Sequence, residues 1–395
     1  MEKRNNRKKL RIVVLGIRGF PDVQGGIEKH CQELYPRLID YNLDITVLAR
    51  KGYVKGHPFS YKGVKIVPLC APKSKYLEAI CHTALGIFWL AKRRLDFDIL
   101  HLHAIGPSLM AYPARRLGFR LVITHHGPDY ARKKWGTTAK IILRLGERLG
   151  AKYADLIIVV SRHIQRLLFE KYESIAVYIP NGVNIDKGSP PGGTLMDFAL
   201  EKGKYFLTVG RLVPEKGFLD LLDAYAGLST DWKLAIVGAA DHNDGYSNTL
   251  RRRADQIEGV VMTGFQADEA LSELYSHAGL FVLPSYHEGL PIVALEAMSH
   301  KLPMLVSDIP ANKEFASDEE VFPVGDIEAL SERLRDFLEN PSLLTSPKTL
   351  IQKIELLDRK FNWDDIADRT CKVYRAVARM PVRMGIDIPR NFGML

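Results

Sequence analysis

The feature that most constrains the fold is a regular alternation of short apolar strands with amphipathic helices, repeated in two series along the 395 residues. In the first series, apolar stretches at 10–16, 43–49, 99–103, 121–125 and 156–161 alternate with helical patterns. The second series runs in the same way from 205 to 307. Strands that are continuously apolar belong to parallel sheets covered by helices on both faces. The chain is therefore predicted to be an α/β protein with two doubly wound units.

Turn-forming residues separate the two series. Pro180-Asn-Gly-Val183 is typical of a turn, and Gly188-Ser-Pro-Pro-Gly-Gly193 is typical of a flexible linker. We therefore predict an N-terminal domain over 1–180 and a C-terminal domain over 181–364. In such domains ligands bind at the carboxyl ends of the strands, so the loops that follow the strands are the first places to look for chemistry.

The charge is distributed unevenly along the chain. The net charge is +9, but residues 1–180 hold 32 Lys and Arg against 14 Asp and Glu, whereas 181–395 hold 23 against 32. A basic domain attracts nucleic acid, anionic lipid or a pyrophosphate-linked acceptor. No zinc-finger, helix-turn-helix or RNA-recognition signature accompanies the charge, so no nucleic-acid partner is predicted.

The basic residues concentrate at 111–152, where 135–149 has the pattern of a basic amphipathic helix. The pattern fits a surface helix with one side toward the core and a membrane-facing helix equally well. The longest apolar run, 79–91, ends in Lys92-Arg-Arg94 and is predicted to be a core helix. The charged N-terminus lacks the apolar segment of a signal peptide, and the four scattered cysteines are typical of a reducing compartment. We therefore predict a cytoplasmic protein.

The stretch Ser285-Tyr-His-Glu-Gly-Leu-Pro-Ile-Val-Ala-Leu-Glu296 is the first functional indication. It follows an apolar strand pattern and enters a helical pattern at Ile292. The N–H groups at a helix N-terminus attract phosphate and other anions. Glu288 lies just before the helix and Glu296 lies inside it. A carboxylate beside an anion site is suited to the hydroxyls of a sugar or ribose.

A second loop, at 205–217, adds two cations. The strand pattern ends at Gly210, and Arg211 and Lys216 follow before Gly217 and the next helix. Two cations and a helix N-terminus can hold a diphosphate without a metal. Each loop alone is equally typical of an ordinary βα turn, but the two together in one half of the chain favour a diphosphate site.

The two motifs, G-R-L-x-x-E-K-G at 210–217 and E-G-L-P-x-x-x-L-E at 288–296, resemble the signature of family-4 retaining glycosyltransferases of the GT-B fold. The resemblance covers nearly the whole chain, including the glycine loop 16–28, the strand end 98–103, Thr124-His-His-Gly127, and Phe361-Asn-Trp363 with Tyr374. The G-x-R-G-x-P form of the glycine loop is most similar to a bacterial polysaccharide branch that includes rhamnosyltransferases. The resemblance implies two Rossmann-like domains facing each other across a cleft, with a C-terminal helix within 365–395 packing back on the first domain.

The resemblance also implies roles for residues of the second domain. Arg211 and Lys216 would neutralise the leaving diphosphate, Glu288 would contact hydroxyls of the donor sugar, and Glu296 would hold the ribose. Phe265 lies in the loop where the family contacts the base. The remaining donor-binding positions are backbone groups at Gly210, Gly289, Leu290 and Pro291.

In the first domain the resemblance favours His126, rather than the adjacent His125, as the catalytic histidine. Gly25 and Gly26 would let the backbone approach phosphates closely at a helix N-terminus. Glu28 is either functional or present because a carboxylate stabilises the first helical turn. His101 and His103 lie on one side of a strand, but no carboxylate or cysteine stands at a ligand spacing. No metal is predicted.

The sequence thus predicts a metal-independent, retaining glycosyltransferase without a cofactor. It would move a hexose or deoxyhexose from a UDP-, dTDP- or GDP-sugar to a lipid-linked bacterial surface glycan, with its basic domain at the inner face of the cell membrane. Two alternatives are a nucleotide-sugar epimerase of the same fold and a non-catalytic binding protein. An epimerase has no need of an extended basic surface, and the intact cations and carboxylates argue against a purely binding role.

Overall fold

The computed structural model describes residues 9–72, 78–132, 136–185, 188–240, 245–344 and 347–382. Lys133 and Lys134 of the basic stretch 111–152, Trp135 of the predicted basic helix, and 383–395 of the predicted C-terminal segment lie outside these ranges. The chain forms two compact units. Unit 1 consists of Met1–Tyr130, Trp135–Ile179 and Asp364–Leu395, and unit 2 of Ala131–Lys134 and Pro180–Trp363.

Unit 1 is built on an eight-stranded sheet with the order β3-β4-β2-β1-β5-β6-β7-β8. All neighbouring strands pair in parallel except β3 and β4, which are antiparallel. The chain fills one side of the sheet from β1 and then crosses to β5 on the other side. The point where this direction reverses, between β1 and β5, is where open α/β sheets bind ligands. The strands and helices are β1 Leu10–Leu15, α1 Gly26–Ile39, β2 Leu43–Arg50, β3 Phe59–Tyr61, β4 Val64–Leu69, α2 Glu78–Ala91, β5 Ile99–His103, α3 Ala111–Arg116, β6 Arg120–His125, α4 Thr137–Tyr153, β7 Leu156–Val159, α5 Arg162–Tyr172 and β8 Val177–Tyr178.

Unit 2 repeats this plan with a six-stranded sheet in the order β11-β10-β9-β12-β13-β14, which is parallel throughout. Here the direction reverses between β9 and β12. The elements are α6 Gly193–Asp197, β9 Tyr205–Val209, α7 Phe218–Ala226, β10 Lys233–Val237, α8 Gly245–Ala254, β11 Val260–Gly264, α9 Asp268–His277, β12 Leu280–Leu283, α10 Ile292–Ser299, β13 Met304–Ser307, β14 Val321–Phe322, α11 Ile327–Glu339 and α12 Pro347–Lys360.

The last helix, α13 (Trp363–Arg379), follows unit 2 in sequence but packs in unit 1 from Asp364 onward. Its apolar side is buried, with Ile366, Val377 and Tyr374 fully enclosed. Arg369 donates a hydrogen bond to the carbonyl of Tyr178 at the end of β8. Burial of this face completes the core of unit 1.

The hydrophobic alternation predicted most elements of both sheets, and the differences have local causes. The antiparallel strand β3 was missed because it is three residues long; it joins β4 through Lys62 and Gly63, whose φ values of 44° and 86° make a tight hairpin turn. The helix α2 differs from the predicted core helix because one side of it is exposed, with Phe88 60% and Leu85 44% accessible. Among the described residues, no helix combines the length and the apolar composition needed to cross a bilayer.

Candidate functional site

The two predicted motifs of unit 2 meet at the point where the strand order reverses. The loop after β9 carries Lys216, and the loop after β12 carries Glu288. The Lys216 Nζ donates a hydrogen bond to Glu288 Oε1 at 2.5 Å, and Ser285 Oγ donates to the same oxygen at 2.7 Å. The side chains of Lys216 and Glu288 are only 14% and 12% exposed. The fold therefore brings a cation and a carboxylate, 72 residues apart, into a largely buried pair.

The electrostatics of this pair keep Glu288 ionised. Burial alone would raise the pKa of Glu288, but the charge of Lys216 and the hydrogen bonds from Lys216 and Ser285 outweigh it and hold the pKa below its ordinary value. The pair presents one positive and one negative group at a strand end. Lys216 can therefore attract a phosphate, and Glu288 can accept a hydrogen bond from a hydroxyl group.

Two glycines make this approach of the loops possible. Gly217 has φ 67°, and a Cβ built there would lie 2.1 Å from the carbonyl oxygen of Pro284, so the β9 loop touches the β12 loop backbone to backbone. A Cβ at Gly210 would lie 3.3 Å from Cε of Lys216. The lysine stem thus passes over the bare backbone of Gly210, which fixes the direction of its ammonium group.

The N-terminus of α10 lies beside this pair and has free donors. Its N-cap residue is Pro291, no side chain caps it in the described structure, and its first turn holds no acidic residue. The backbone N–H groups of Ile292 and Val293 therefore remain available to an anion. The preceding loop is held in position by Asn181, whose Nδ2 donates to the carbonyl of Leu290 at 2.7 Å. The predicted anion site would lie at this end of the helix.

The other predicted donor-binding residues of unit 2 lie on neighbouring elements. Arg211 is half-buried immediately after β9 and Gly210. Glu296 lies one turn into α10, where its Oε2 accepts a hydrogen bond from the Tyr275 hydroxyl of α9 at 3.2 Å. Phe265 follows β11, which lies two strands from β9 in the sheet. Two strand spacings correspond to about 10 Å. The ring of Phe265 is 44% exposed, as expected of a platform for a flat ligand.

In unit 1 the glycine loop after β1 is braced by an internal ion pair. Glu28 accepts hydrogen bonds from Arg18 Nε at 3.1 Å, Arg18 Nη2 at 3.0 Å and the Arg18 backbone N–H at 3.1 Å. A Cβ at Gly25, whose φ is 147°, would lie 2.2 Å from Glu28 Oε2. Gly25 is therefore required by the ion pair, and Glu28 has a structural role. Gly26 differs, because a Cβ there would meet nothing within 4 Å.

The two adjacent histidines after β6 have different surroundings. His125 is buried, its Nε2 pairs with Glu147 Oε1 at 3.0 Å, and its Nδ1 accepts from the N–H of Gly127 at 3.2 Å. His126 is half-buried, and its Nε2 forms a hydrogen bond with Nδ1 of His103 at 2.8 Å. Both nitrogens of His125 are thus used to hold the loop. His126 is therefore the better candidate for hydrogen bonding to a ligand.

Three histidines of unit 1 lie close enough together to be considered as metal ligands. His30, His103 and His126 each present one ligand atom, and these atoms lie within 4.8 Å of one another. Sequence spacing could not reveal this group, because the three residues come from three different elements. However, both nitrogens of His103 already have hydrogen-bond partners, His126 and Tyr35. The histidines therefore form a hydrogen-bonded cluster, and the expectation that the site holds no metal stays a prediction.

Sequence reasoning missed several residues that shape both sites. Ser285 and Asn181 were seen only as parts of a loop and a turn, yet Ser285 is fully buried and Asn181 is 4% exposed. An S-x-x-E pattern ahead of Gly289 was a usable signal for Ser285. No local signal existed for Asn181, Tyr35 or His30, because their partners are distant in sequence.

Comparison with known proteins places the chain among enzymes that transfer sugars. Residues 24–187 match the model described as Glycosyltransferase Family 4, and 197–354 match Glycosyl transferases group 1. A phosphatidyl-myo-inositol mannosyltransferase of Mycobacterium leprae is 31% identical over 382 residues, covering 90% of this chain and 94% of the relative.

Solved structures share the fold across nearly the whole chain. Sucrose-phosphate synthase from Thermosynechococcus elongatus has a TM-score of 0.80 at 20% identity, covering 93% of this chain and 99% of that one. Anabaena HepE in complex with UDP-glucose has a TM-score of 0.74 at 16% identity, covering 93% and 100%. At these identities the likeness concerns the fold alone.

Proposed function

The chain belongs to the family-4, group 1 glycosyltransferases of the GT-B fold, and we propose that it performs a retaining, metal-independent transfer from a nucleotide diphosphate sugar to a lipid-linked acceptor. It is a nucleotide-sugar glycosyltransferase; the donor class, the stereochemistry and the acceptor are the proposed parts. The observation that carries the proposal is the buried Lys216–Glu288 pair at the N-terminus of α10.

The donor would bind in unit 2 through groups already described. Arg211, Lys216, the backbone N–H groups at Gly289 and Leu290, and those at the N-terminus of α10 would hold the diphosphate. Glu288 would accept hydrogen bonds from hydroxyls of the sugar, Glu296 from the ribose, and Phe265 would stack on the base. HepE, which shares the fold, has been crystallised with UDP-glucose, which supports a nucleotide diphosphate sugar as the donor. The candidates are a UDP-, a dTDP- and a GDP-sugar.

Neutralisation of the charge on the leaving diphosphate would accelerate the reaction. Negative charge builds up on the diphosphate as the bond to the sugar breaks, and preorganised cations stabilise such a transition state. Arg211 and Lys216 supply two positive charges, so the site needs no divalent ion. The acceptor hydroxyl would attack the face from which the diphosphate departs and give its proton to the departing phosphate oxygen, with retention at the anomeric carbon. His126 of unit 1 would contribute a hydrogen bond during this step.

Unit 1 has a surface suited to an anionic membrane. One side of α4 exposes Ile141, Arg144, Leu145 and Arg148, so apolar and basic side chains alternate along a single stripe. Just after α2, Lys92 lies over the exposed ring of Phe88 with Nζ 4.7 Å from its centroid. Such surfaces insert apolar groups among lipids while their cations bind anionic headgroups. The relative from M. leprae is named for a lipid acceptor, which supports a lipid-linked acceptor. We place this acceptor at the cytoplasmic face of the cell membrane because the basic side chains match its anionic lipids.

The first experiment is a thermal-shift panel of UDP, dTDP, GDP and ADP, without metal and then with EDTA. A nucleotide at about 100 times its Kd stabilises the fold by about 2.7 kcal/mol, which gives a shift of a few degrees for a chain of this size. We expect one nucleotide to raise Tm regardless of EDTA and to lose its effect in Arg211→Ala. The absence of a shift from all four would contradict the donor site.

Product analysis then tests the reaction itself. The corresponding nucleotide sugar is incubated with a membrane extract, and the anomeric configuration of the product is read by NMR. Retention supports the proposal, and inversion would overturn the stereochemical part of it. Conversion of the nucleotide sugar to an epimer without acceptor would mean an epimerase instead.

Vesicle co-sedimentation tests the membrane surface. We expect binding to vesicles rich in phosphatidylglycerol at low salt and weaker binding in Phe88→Ser. Phe169→Ser is a matched control, because Phe169 of α5 is 61% exposed, as Phe88 is 60% exposed. Equal binding of both variants, or no preference for anionic over neutral vesicles, would contradict the proposed surface.

A further inference from the structure

A chain of buried side chains lies behind His126 in unit 1. The hydroxyl of Tyr35 in α1 lies 2.5 Å from Nε2 of His103, and Nδ1 of His103 lies 2.8 Å from Nε2 of His126. The far end continues through His101, whose Nδ1 lies 3.1 Å from the Tyr35 hydroxyl. The rings of His103 and His126 stack with their centroids 5.1 Å apart. Hydrogen bonds therefore connect His126 with the interior of the unit.

The C-terminal helix α13 closes this chain. The Tyr374 hydroxyl lies 2.6 Å from Nδ1 of His101, and Nε2 of His101 lies 2.8 Å from Oγ1 of Thr124. Tyr35, His101, His103 and Tyr374 are all 0% exposed. Polar groups enclosed in this way are costly unless they are hydrogen-bonded, so each member restricts the next.

Burial keeps the histidines neutral. It lowers the pKa of His101 to about 3, and together with neighbouring histidines it holds the pKa values of His103 and His126 well below the ordinary value. Burial also raises the pKa of Tyr35 well above its usual range. A neutral imidazole has one N–H donor and one acceptor nitrogen. For each histidine, the direction of one hydrogen bond therefore fixes the direction of the hydrogen bond at its other nitrogen.

Two arrangements of the segment from Tyr35 to His126 follow. In one, Tyr35 donates to Nε2 of His103 and Nδ1 of His103 donates to Nε2 of His126, so that Nδ1 of His126 carries the remaining hydrogen. In the other, both bonds are reversed and Nδ1 of His126 is an acceptor. When Tyr374 donates to Nδ1 of His101, the Tyr35 hydrogen is left for His103, which favours the first arrangement. Nδ1 of His126 has no hydrogen-bond partner among the described residues, so this nitrogen is the one that can meet a ligand.

We propose that Tyr35, His103 and Tyr374 are positioning residues, which hold the His126 ring and decide whether its outward Nδ1 donates or accepts a hydrogen bond. The inference rests on the proposed function, in which His126 acts during transfer. It assigns a role to the two histidines on β5 and links the C-terminal helix to the reactive histidine. Tyr35 is the critical member, because its hydroxyl contacts both His101 and His103.

The test compares Tyr35→Phe and Tyr374→Phe with the wild type in protein labelled with ¹⁵N-histidine. The nitrogen shifts of neutral imidazole distinguish the two tautomers, and the His126 signals are identified by their loss in His126→Gln. We expect one tautomer of His126 in the wild type and a mixture in Tyr35→Phe. We also expect kcat to fall about fivefold, the scale of one neutral hydrogen bond, with KM for the donor unchanged.

Tyr225→Phe is the matched control, because it removes a tyrosine hydroxyl that donates to the carbonyl of Trp232 in unit 2. It should leave both the His126 signals and kcat unchanged. If Tyr35→Phe does not fold, Tyr374→Phe provides the same reading. Unchanged His126 signals in a folded variant would overturn the inference even in a preparation without transfer activity. Absence of transfer in the wild type would instead count against the proposed function.

Discussion

Replacing Lys216 by methionine should abolish most turnover. Methionine keeps the side-chain volume over Gly210 but removes the ammonium group that lies 2.5 Å from Glu288. A preorganised group aimed at developing charge contributes about 3–4 kcal/mol to many transition states, so kcat should fall about 100- to 1000-fold. Transfer is measured at saturating donor by separating the released nucleotide diphosphate on an anion-exchange column.

The same substitution should also destabilise the fold, and the loss should depend on pH. Removing one partner from a buried ion pair costs about 3–5 kcal/mol, because the other charge stays buried. In the wild type the lowered pKa of Glu288 contributes stability above the ordinary carboxyl pKa, and this is lost as the pH falls through the folded-state value. In Lys216→Met burial raises the pKa instead, so the ionised carboxylate destabilises the variant at neutral pH and becomes protonated as the pH falls. The difference in free energy of unfolding between the variant and the wild type should therefore become smaller as the pH falls from about 7 to about 5.

A double variant separates the two effects. Lys216→Met with Glu288→Gln removes both charges, so most of the stability should return while turnover stays low. Lys353→Met is a matched control, since Lys353 pairs with the buried Glu320 elsewhere in unit 2; it should lose stability in urea and keep kcat. A Lys216→Met enzyme with kcat within about threefold of wild type, or one whose double variant recovers turnover, would refute the reasoning.

Three further changes test other features of the site. Gly217→Ala should destabilise the fold by more than about 1 kcal/mol in urea unfolding, because φ is 67° and the new Cβ would overlap the Pro284 carbonyl. Gly26→Ala is the control, because its new Cβ meets no atom within 4 Å. Equal losses of unfolding free energy in the two variants would contradict the argument. Phe265→Ala should leave stability unchanged and raise the nucleotide Kd by about tenfold in calorimetry, the scale of one base–aromatic stack; an unchanged Kd would exclude stacking on this ring. Transfer should continue at the same rate in excess EDTA, and inactivation that Mg²⁺ restores would mean that the two cations are insufficient.

The alternation of apolar strands and helices was enough to predict two doubly wound units, because both sheets are buried on two faces. Contacts between residues distant in sequence could not be predicted from the same pattern. Glu28 illustrates this: its place in the first turn of α1 allowed a functional or a helix-stabilising role, and only the folded loop reveals Arg18 around its carboxylate. A side chain's partner depends on where the loops cross, which local sequence does not specify.

More of the candidate site could be inferred from sequence in unit 2 than in unit 1, because the residues of unit 2 directly follow strands. Lys216 and Glu288 follow adjacent strands, so the order of elements nearly forces them together. His126 was identified by resemblance alone. Its partner His103 was known only as one of a pair on a strand, and Tyr374 lies more than 270 residues from His101. Such contacts appear only once the C-terminal helix is packed.

That packing has a consequence for the order in which the protein matures during synthesis. Most of unit 1 precedes unit 2 in the sequence, yet its core includes α13, which is translated only after unit 2. Domains generally fold as they emerge, but here the N-terminal unit cannot complete its core until α13 has been translated. Unit 2, whose strands and helices are contiguous, can finish first. A nascent chain arrested before residue 363 would therefore carry a folded unit 2 attached to an incomplete unit 1 that exposes apolar surface, and we expect chaperones to bind it.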